Sequence, residues 1–599
     1  MQYREVVSKP NSREVQSSSV RKIALEVGGT TLLYLILTLV ATYPAMTKFD
    51  SHFIGDGDTL VNAWNLWWVQ LSIKNQTSPF HTTLLYYPDG VSLAYHTLNL
   101  FNGCLAFLFQ TVLGMSLPAT FNAISLLTFV GSGVSMFILV RSMTKSASAG
   151  LVSSLIFTFA PYRMGRVFFG NLDLYSTQFI PWVVFFLTKL QKTCRWRHVI
   201  GTAIALSLTG WCSLELGFGT GILVSLLFLF EAVSGTAKQL ITRLKYWLVL
   251  VLLTGLFMSP FILSMFNNYR SFQDQTDQFN ASVSNSADLM GFFVPDRSTR
   301  PFIMRLGPEF ISRGIHSVYS KFYGNPCEKT VFLGYSVLAM VFVSLCISRS
   351  RVVRRWLFVA GVFFILCLGP VLHIAGQPAV SPMPYELFLH IPLLKFGRSP
   401  SRFAIFLMLA LAIVVGYGCA ALVSRWRRSR WIMVLVGVLI FIEFLIVPMR
   451  LDRRAVAMSD YYTQLADSDE EFPILDVPVD LYGAQGPAAH YMLYQTLHHQ
   501  PIVGGYISRT PTSALSIFEY PFIYQLRARL YNDHEPYAFS PELIATAESD
   551  LEALGIHYVI LHKDVLSEQE VVLLYDVIYE ALADPIHEDH YIVVWERDL

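Results

Sequence analysis

A succession of apolar stretches, each close to the length at which a helix crosses a bilayer, limits what this chain can become. The first runs from about 23 to 46. Others follow at about 97–114, 119–140, 147–161, 175–190, 198–213, 216–233, 245–266, 330–348, 355–374, 402–424 and 430–448. A helical span takes about 20 residues, so the pattern predicts an all-α polytopic membrane bundle of about 12–13 spans. Composition agrees with it: 53% of residues are hydrophobic and 15% are Asp, Glu, Lys or Arg, where a soluble domain carries about 25%. A net charge of +1 lacks the basic excess that nucleic-acid binding needs, so no nucleic-acid partner is expected. The seven cysteines are scattered with no CxxC pair, which predicts neither a disulfide framework nor a zinc site.

Charges on the connections orient the bundle. Residues 1–22 are polar and carry Arg4, Lys9, Arg13, Arg21 and Lys22, which predicts a cytoplasmic tail kept in the protein rather than a cleaved signal sequence. The pairs and clusters Arg141/Lys145, Lys189–Arg197, Lys238–Lys245, Arg349–Arg355 and Arg425–Arg430 also read as cytoplasmic. The alternate connections, at 162–174, 212–217, 267–329 and 375–401, then face outside. One conflict stays open. Two apolar stretches separate the loop 47–95 from Arg141, one too many for both assignments. Either a further short or re-entrant segment lies between 60 and 100, or Arg141/Lys145 breaks the charge rule.

This organisation gives a tail (1–22), a transmembrane domain (23–448, with outer loops 47–95 and 267–329) and an extracytoplasmic soluble domain (449–599), in the cell inner (cytoplasmic) membrane. Within the first loop, residues 59–73 carry Trp64, Trp67 and Trp68 and predict an amphipathic helix at the lipid interface. In the last domain, "FPILDVPVD" over 472–480, a helix over 483–499, a strand from His557 after the glycine stop at Gly555, and a strand over 591–595 predict a small α/β or α+β fold.

Ionisable residues near a membrane need a reason, and the informative ones fall on the outer connections. In "GDGDTLVNAWNLWW", Asp56 and Asp58 flank Gly57, so the backbone can turn and bring two carboxylates together. Such a pair suits a divalent cation (Mg2+ or Mn2+), a general base toward an acceptor hydroxyl, or the cap of a helix starting near Thr59. "PYRMGRVFFGNLDLYSTQFIPW" holds Arg163, Arg166, Asn171 and Asp173. Its arginines suit a lipid phosphate or snorkel to headgroups. Glu215 sits alone between two apolar stretches, open to an arginine, a metal or the interface. Glu328, in "NPCEKTVFLGY", can cap the helix after it. Residues 386–396 are apolar enough for a short interfacial helix, and "GRSPSRF" then places Arg398 and Arg402 at the head of a span as a second phosphate clamp. His96, at the end of the first loop, is a further polar candidate.

In this order the motifs resemble the GT-C superfamily of bacterial multi-spanning membrane glycosyltransferases, and within it a YfhO-like group, over residues 25 to about 448. The resemblance implies a polyprenyl-phosphate-linked sugar as donor, a glycan or protein acceptor, inversion at the anomeric carbon and an active site on the outer face. It makes Asp58, with Asp56 as the alternative, the base. It makes Arg163, Arg398 and Arg402 candidates for the donor phosphate, joined by Arg166 on charge, and Glu215 a metal or acceptor contact. Asn171 departs from the pattern: relatives carry histidine after that glycine, and an amide cannot exchange protons near neutral pH. Two rival functions remain. A flippase or transporter for a lipid-linked glycan would string charges along a path through the membrane, whereas these cluster at one face. A non-enzymatic assembly protein would leave Asp58 as a helix cap.

Overall fold

A computed structural model describes residues 12–234, 237–269, 278–296, 302, 309–348, 350–391, 397–426, 429–452, 458–467, 471–481, 486–510, 512–527 and 539–597. Arg4, Lys9, Arg349 and Arg427, and the end of the interfacial helix expected over 386–396, lie outside the described residues. Every apolar stretch becomes a helix. They are α1 (Ser12–Ala41), α3 (Leu100–Phe107, prolonged by a π-helical turn to Val112), α4 (Leu117–Thr144), α5 (Ala147–Thr158), α8 (Ile180–Thr193), α9 (Trp196–Cys212), α10 (Leu214–Ser234), α11 (Ala237–Asn267), α12 (Tyr335–Ile347), α13 (Arg351–Cys367), α14 (Ala404–Arg425) and α15 (Ser429–Phe444). Between them come α2 (Thr59–Lys74), α6 (Pro161–Phe168) and α7 (Leu172–Tyr175). Among the described residues, five helices are long and apolar enough to cross a membrane outright. Around them the shorter ones complete a multi-pass bundle. The core span is α14, with 78% of its apolar window buried against 11% in α11, so α14 is the axis and α11 a lipid-facing flank. All seven cysteines are free.

The ends of α1 and α4 bear on the topological conflict. Glu26, early in α1, pairs with Arg141, late in α4. At the other end Asn122 Nδ2 donates to the carbonyls of Phe49 (2.9 Å) and His52 (2.7 Å). The two helices therefore run antiparallel, and the stretch between them starts and finishes at one end of the bundle. Its flanks show the same: the Thr97 carbonyl accepts from Asn65 (2.8 Å) and Ser116 Oγ donates to the Asp50 carbonyl (3.4 Å). Both ends of α3 therefore lie at the same end of the bundle.

The tryptophan-rich α2 differs from expectation. It forms where predicted, but Trp64, Trp67 and Trp68 are buried in protein rather than laid on lipid. The reason is the C-terminal domain, which covers it. There β3 (Ile474–Val477) and β4 (Tyr558–His562) pair in parallel, and β4 continues antiparallel to β6 (Ile592–Glu596), which carries β5 (His587–Glu588) at the edge. Helix α16 (Ala488–His498) lies against α2, where Trp64 Nε1 donates to Gln495 Oε1 at 2.8 Å. Gln495 Nε2 in turn donates to the Leu84 carbonyl at 2.6 Å. A short antiparallel pair, β1 (Phe53–Ile54) with β2 (Leu451–Asp452), ties the exit of the first span to the exit of the last. First loop and C-terminal domain are thus one assembly over one end of the bundle.

Candidate active site

Two segments expected to carry chemistry meet backbone to backbone at that end. Gly170 adopts φ +72°, and a Cβ there would stand 1.9 Å from Thr59 Oγ1. Gly55, at φ +92°, would meet the Val167 carbonyl at 2.4 Å. Only glycine allows both the left-handed backbone and this approach. The amides of Asp56 and Asp58 then donate to the carbonyls of Phe168 and Phe169, each at 3.1 Å. This docking sets Asn171 on Asp58, Nδ2 to Oδ2, at 2.6 Å. From the C-terminal domain the Tyr506 hydroxyl makes a long approach to Oδ1 at 3.5 Å.

Asp58 occupies the N-cap position of α2, yet its side chain makes no capping hydrogen bond. Its carboxylate is held by neighbours in space and stays partly exposed. Burial pushes it above the ordinary carboxylate range, against the lowering pull of Asn171, Arg402 and Arg166. A carboxylate that is oriented, reachable and more basic than usual fits a general base. Asp56 turns away: it is exposed and pairs with Arg450 at 3.4 Å.

Four expected residues form one charge network. Glu328 is buried and binds Arg166 through Oε2 and Arg402 through Oε1, the latter from both Nε (3.0 Å) and Nη2 (2.9 Å). Ser401 donates to it as well. Arg402 reaches on to Glu215. Burial alone would raise Glu328, but Arg166 and Arg402 hold it down to about 2. The capping role expected for Glu328 is replaced by this ion pairing. Asp173 lies nearby, buried, with Oδ2 lacking a hydrogen-bond partner. Burial raises it to about 7, helped by Glu215 and Asp58 and opposed by Arg402.

Arg163 stands apart. Its guanidinium is fully buried and donates to the carbonyls of Tyr175 (2.9 Å) and Thr158 (2.8 Å), with Phe129 beneath it at 4.0 Å. It pins α7 to the end of α5. His96 is also a strut: its Nδ1 accepts from the Ser508 amide at 3.1 Å, so Nε2 carries the proton donated to Asn65 Oδ1 at 2.8 Å. Burial keeps the ring neutral, at about 3. Arg398 is partly buried and makes no side-chain hydrogen bond or ion pair among the described residues.

Among the described residues no group of three or more His, Cys, Asp or Glu is placed to hold a metal ion. Asp56 pairs with Arg450 and Glu215 with Arg402.

Sequence reasoning missed Tyr506. Tyr506 is 448 positions from Asp58, and nothing local in "GGYISRTP" marks it. The loop is fixed by Tyr86, whose hydroxyl donates to the Gly505 carbonyl at 2.8 Å, and by His96.

No family model matches the chain, and no curated protein matches it. Solved structures do. The arabinofuranosyltransferase AftD from mycobacteria aligns with TM-score 0.56 and 13% identity over 95% of this chain and 39% of its own. A mutant form of AftD gives 0.58 and 12%, over 95% and 41%. The oligosaccharyltransferase from Archaeoglobus fulgidus covers 93% of this chain and 71% of its own at 13% identity, with a TM-score of 0.44, too low for a fold assignment. The chain thus spans about two fifths of the AftD structures it matches. At such identity the likeness is one of fold alone: the chain shares the membrane-bundle architecture of the AftD structures, and no comparison points to the YfhO-like group.

Proposed function

We propose that this protein is a glycosyltransferase that moves a sugar from a polyprenyl-phosphate-linked donor to the hydroxyl of a glycan or protein acceptor at the outer face of the membrane. One observation carries the reading. Asp58 is freed from helix capping, aimed by Asn171, and made more basic by burial, in the first loop of a fold shared with an arabinofuranosyltransferase. The basic connections lie at the opposite end of the bundle, which favours an outer site.

In this mechanism Asp58 takes the acceptor's hydroxyl proton while that oxygen bonds to the anomeric carbon from the face opposite the phosphate. The bond from the anomeric carbon to the phosphate oxygen breaks, the phosphate leaves with the electron pair, and the configuration inverts. Base catalysis of this kind contributes about 10²–10⁴-fold, and cations stabilise the charge growing on the phosphate. Asn171 holds Asp58 as a hydrogen-bond donor, a role that needs no proton exchange. Of the four arginines first considered, Arg166 and Arg402 are neutralised by Glu328 and Glu215 and Arg163 is occupied by backbone. Arg398 is left to meet the donor.

The test is transfer of labelled sugar from polyprenyl-phosphate donors by the protein in proteoliposomes, with the anomeric configuration of the product determined. Inverted product is expected. Retained configuration, or no transfer from any such donor, counts against the proposal. Cysteines placed at 56 and 520 should react with impermeant reagent from outside; labelling from the cytoplasmic side alone would reject the outer site.

A further inference from the structure

We propose that Tyr506 of the C-terminal domain binds the acceptor: its hydroxyl and Asp58 Oδ1 together hold the acceptor oxygen that attacks the donor sugar. The C-terminal domain then completes the acceptor side of the site. The inference rests on the proposed function in taking Asp58 to be the base.

Placement comes first. The amides of Tyr86 and Tyr87 donate to the carbonyls of Gly504 (3.3 Å) and Ile502 (3.2 Å), and the Tyr86 hydroxyl donates to the Gly505 carbonyl at 2.8 Å. A Cβ on Gly504 would stand 2.8 Å from the Asp480 carbonyl oxygen, and one on Gly505 would stand 3.1 Å from the Tyr86 ring. Glycine is what lets the turn lie so close. The Tyr506 amide donates to Met492 Sδ of α16 at 3.1 Å. Beyond it the Ser508 amide donates to His96 at 3.1 Å. The Tyr506 ring packs against both the bundle core and the core of the C-terminal domain. Its hydroxyl therefore approaches Asp58 from a backbone held on either side.

Hydrogen bonding comes second, and at Asp58 it is uneven. Oδ2 takes Asn171 Nδ2 at 2.6 Å. Among the described residues Oδ1 has the Tyr506 hydroxyl alone, at 3.5 Å, where a good bond between two oxygens is about 2.7–2.8 Å. Two reaches of about 2.8 Å add to more than that separation, so one further oxygen fits within hydrogen-bond distance of both groups. An alcohol oxygen suits the place. Its O–H donates to Oδ1, one lone pair accepts from Tyr506, and the other stays free to attack. Tyr506 must be protonated to donate, and burial with the charge of Asp58 holds it above the ordinary phenol range. In the reaction the acceptor's proton passes to Oδ1 while its oxygen bonds to the anomeric carbon. The phosphate leaves with the electron pair of the broken bond, and Tyr506 keeps its proton. Both side chains are partly exposed, so an incoming hydroxyl can reach them.

The experiment uses the full chain in proteoliposomes, with labelled polyprenyl-phosphate sugars as donors and n-octyl glycosides as hydroxyl acceptors. Transfer to the glycoside and release of free sugar to water are measured together. Y506F keeps the ring and loses the hydroxyl. It should raise the acceptor KM about three- to tenfold, as loss of one hydrogen bond does, with the donor KM unchanged and the ratio of transfer to hydrolysis lowered. The acidic limb of its kcat/KM profile should move to higher pH, because Asp58 loses a donor that favours its charged form. An unmoved acceptor KM overturns the proposal even if that limb moves, since Tyr506 would then act on the base alone. Where Y506F folds poorly, Tyr506→3-fluorotyrosine serves. It keeps the ring and strengthens the donor, so the acceptor KM should be no higher than in the wild type, and a raised KM overturns the proposal. Y86F, which releases the Gly505 carbonyl, should raise the acceptor KM by a smaller factor and add little in the Y506F background; full additivity would overturn delivery by this turn. R313Q, which removes an exposed arginine paired with Glu309, should match the wild type. D58N separates the two ideas. Transfer lost in D58N with a wild-type acceptor KM in Y506F would sink this inference and leave the function. Neither transfer nor hydrolysis of any such donor by the wild type would sink the function, and the acceptor assignment with it.

Discussion

Arginines of one motif, Arg398 and Arg402, stand at the same end of the bundle and are treated in opposite ways. Arg166 and Arg402 meet Glu328 and Glu215 in a closed network of two cations and two anions, with Glu328 and Arg166 nearly inaccessible. Arg398, by contrast, makes no side-chain hydrogen bond or ion pair among the described residues. The difference separates structure from recognition. A buried pair whose charges cancel holds loops together and has nothing left for a ligand, while a cation with no carboxylate beside it can meet an anion from outside. Sequence spacing does not distinguish the cases, because Arg398 and Arg402 are four residues apart in one motif.

The comparison breaks first at Glu328. Replacing it by Gln leaves Arg166 and Arg402 without their shared anion, and loss of one partner of a buried pair costs about 3–5 kcal/mol. A large fall in thermal stability of the purified E328Q protein is expected. A wild-type melting curve would show that the network is ornamental. Next comes Asp173, whose folded carboxyl is raised to about 7 from an ordinary value of 3.8. The native state binds its proton more tightly than the unfolded state does, so its contribution favours folding below about 3.8 and is lost as pH rises through about 7. Glu328 behaves oppositely, its stabilisation being lost only as pH falls from 4.5 toward about 2. D173N should therefore flatten the decline in melting temperature between pH 4 and 7; an unchanged slope would assign that decline elsewhere. Arg398 gives a smaller effect, felt in function. R398Q should raise the donor KM about tenfold with stability near wild type, the reverse of E328Q. The smallest effect belongs to Asp56, exposed and paired only with Arg450. Surface ion pairs are worth about 0–1 kcal/mol, so D56N should match the wild type in melting and nearly in rate.

What the sequence revealed follows the same division. Apolar stretches and basic connections predicted the membrane class, because a helix in lipid must satisfy its own backbone, and each stretch became a helix. Where the ends of a stretch are held is a tertiary fact, set for α3 by the hydrogen bonds of Asn65 and Asp50. The tryptophans of α2 looked interfacial because the sequence does not show the domain that covers them. At the site, the glycines of "GDGD" and "FFGN" marked turns, but their mutual contact is a long-range fact. Asp58 and Asp56 look alike in sequence. They differ because Asn171 and Tyr506 reach one and Arg450 the other. Tyr506 was invisible, since its meaning lies in a loop folded back onto the first loop of the chain.

The most direct measurement is kcat for sugar transfer by wild type, D58N and D56N, assayed side by side in the same bilayer with the same polyprenyl-phosphate donor. The account predicts a loss of about 10²–10⁴-fold for D58N with donor KM little changed, and a rate close to wild type for D56N. Transfer by D58N at the wild-type rate would contradict it.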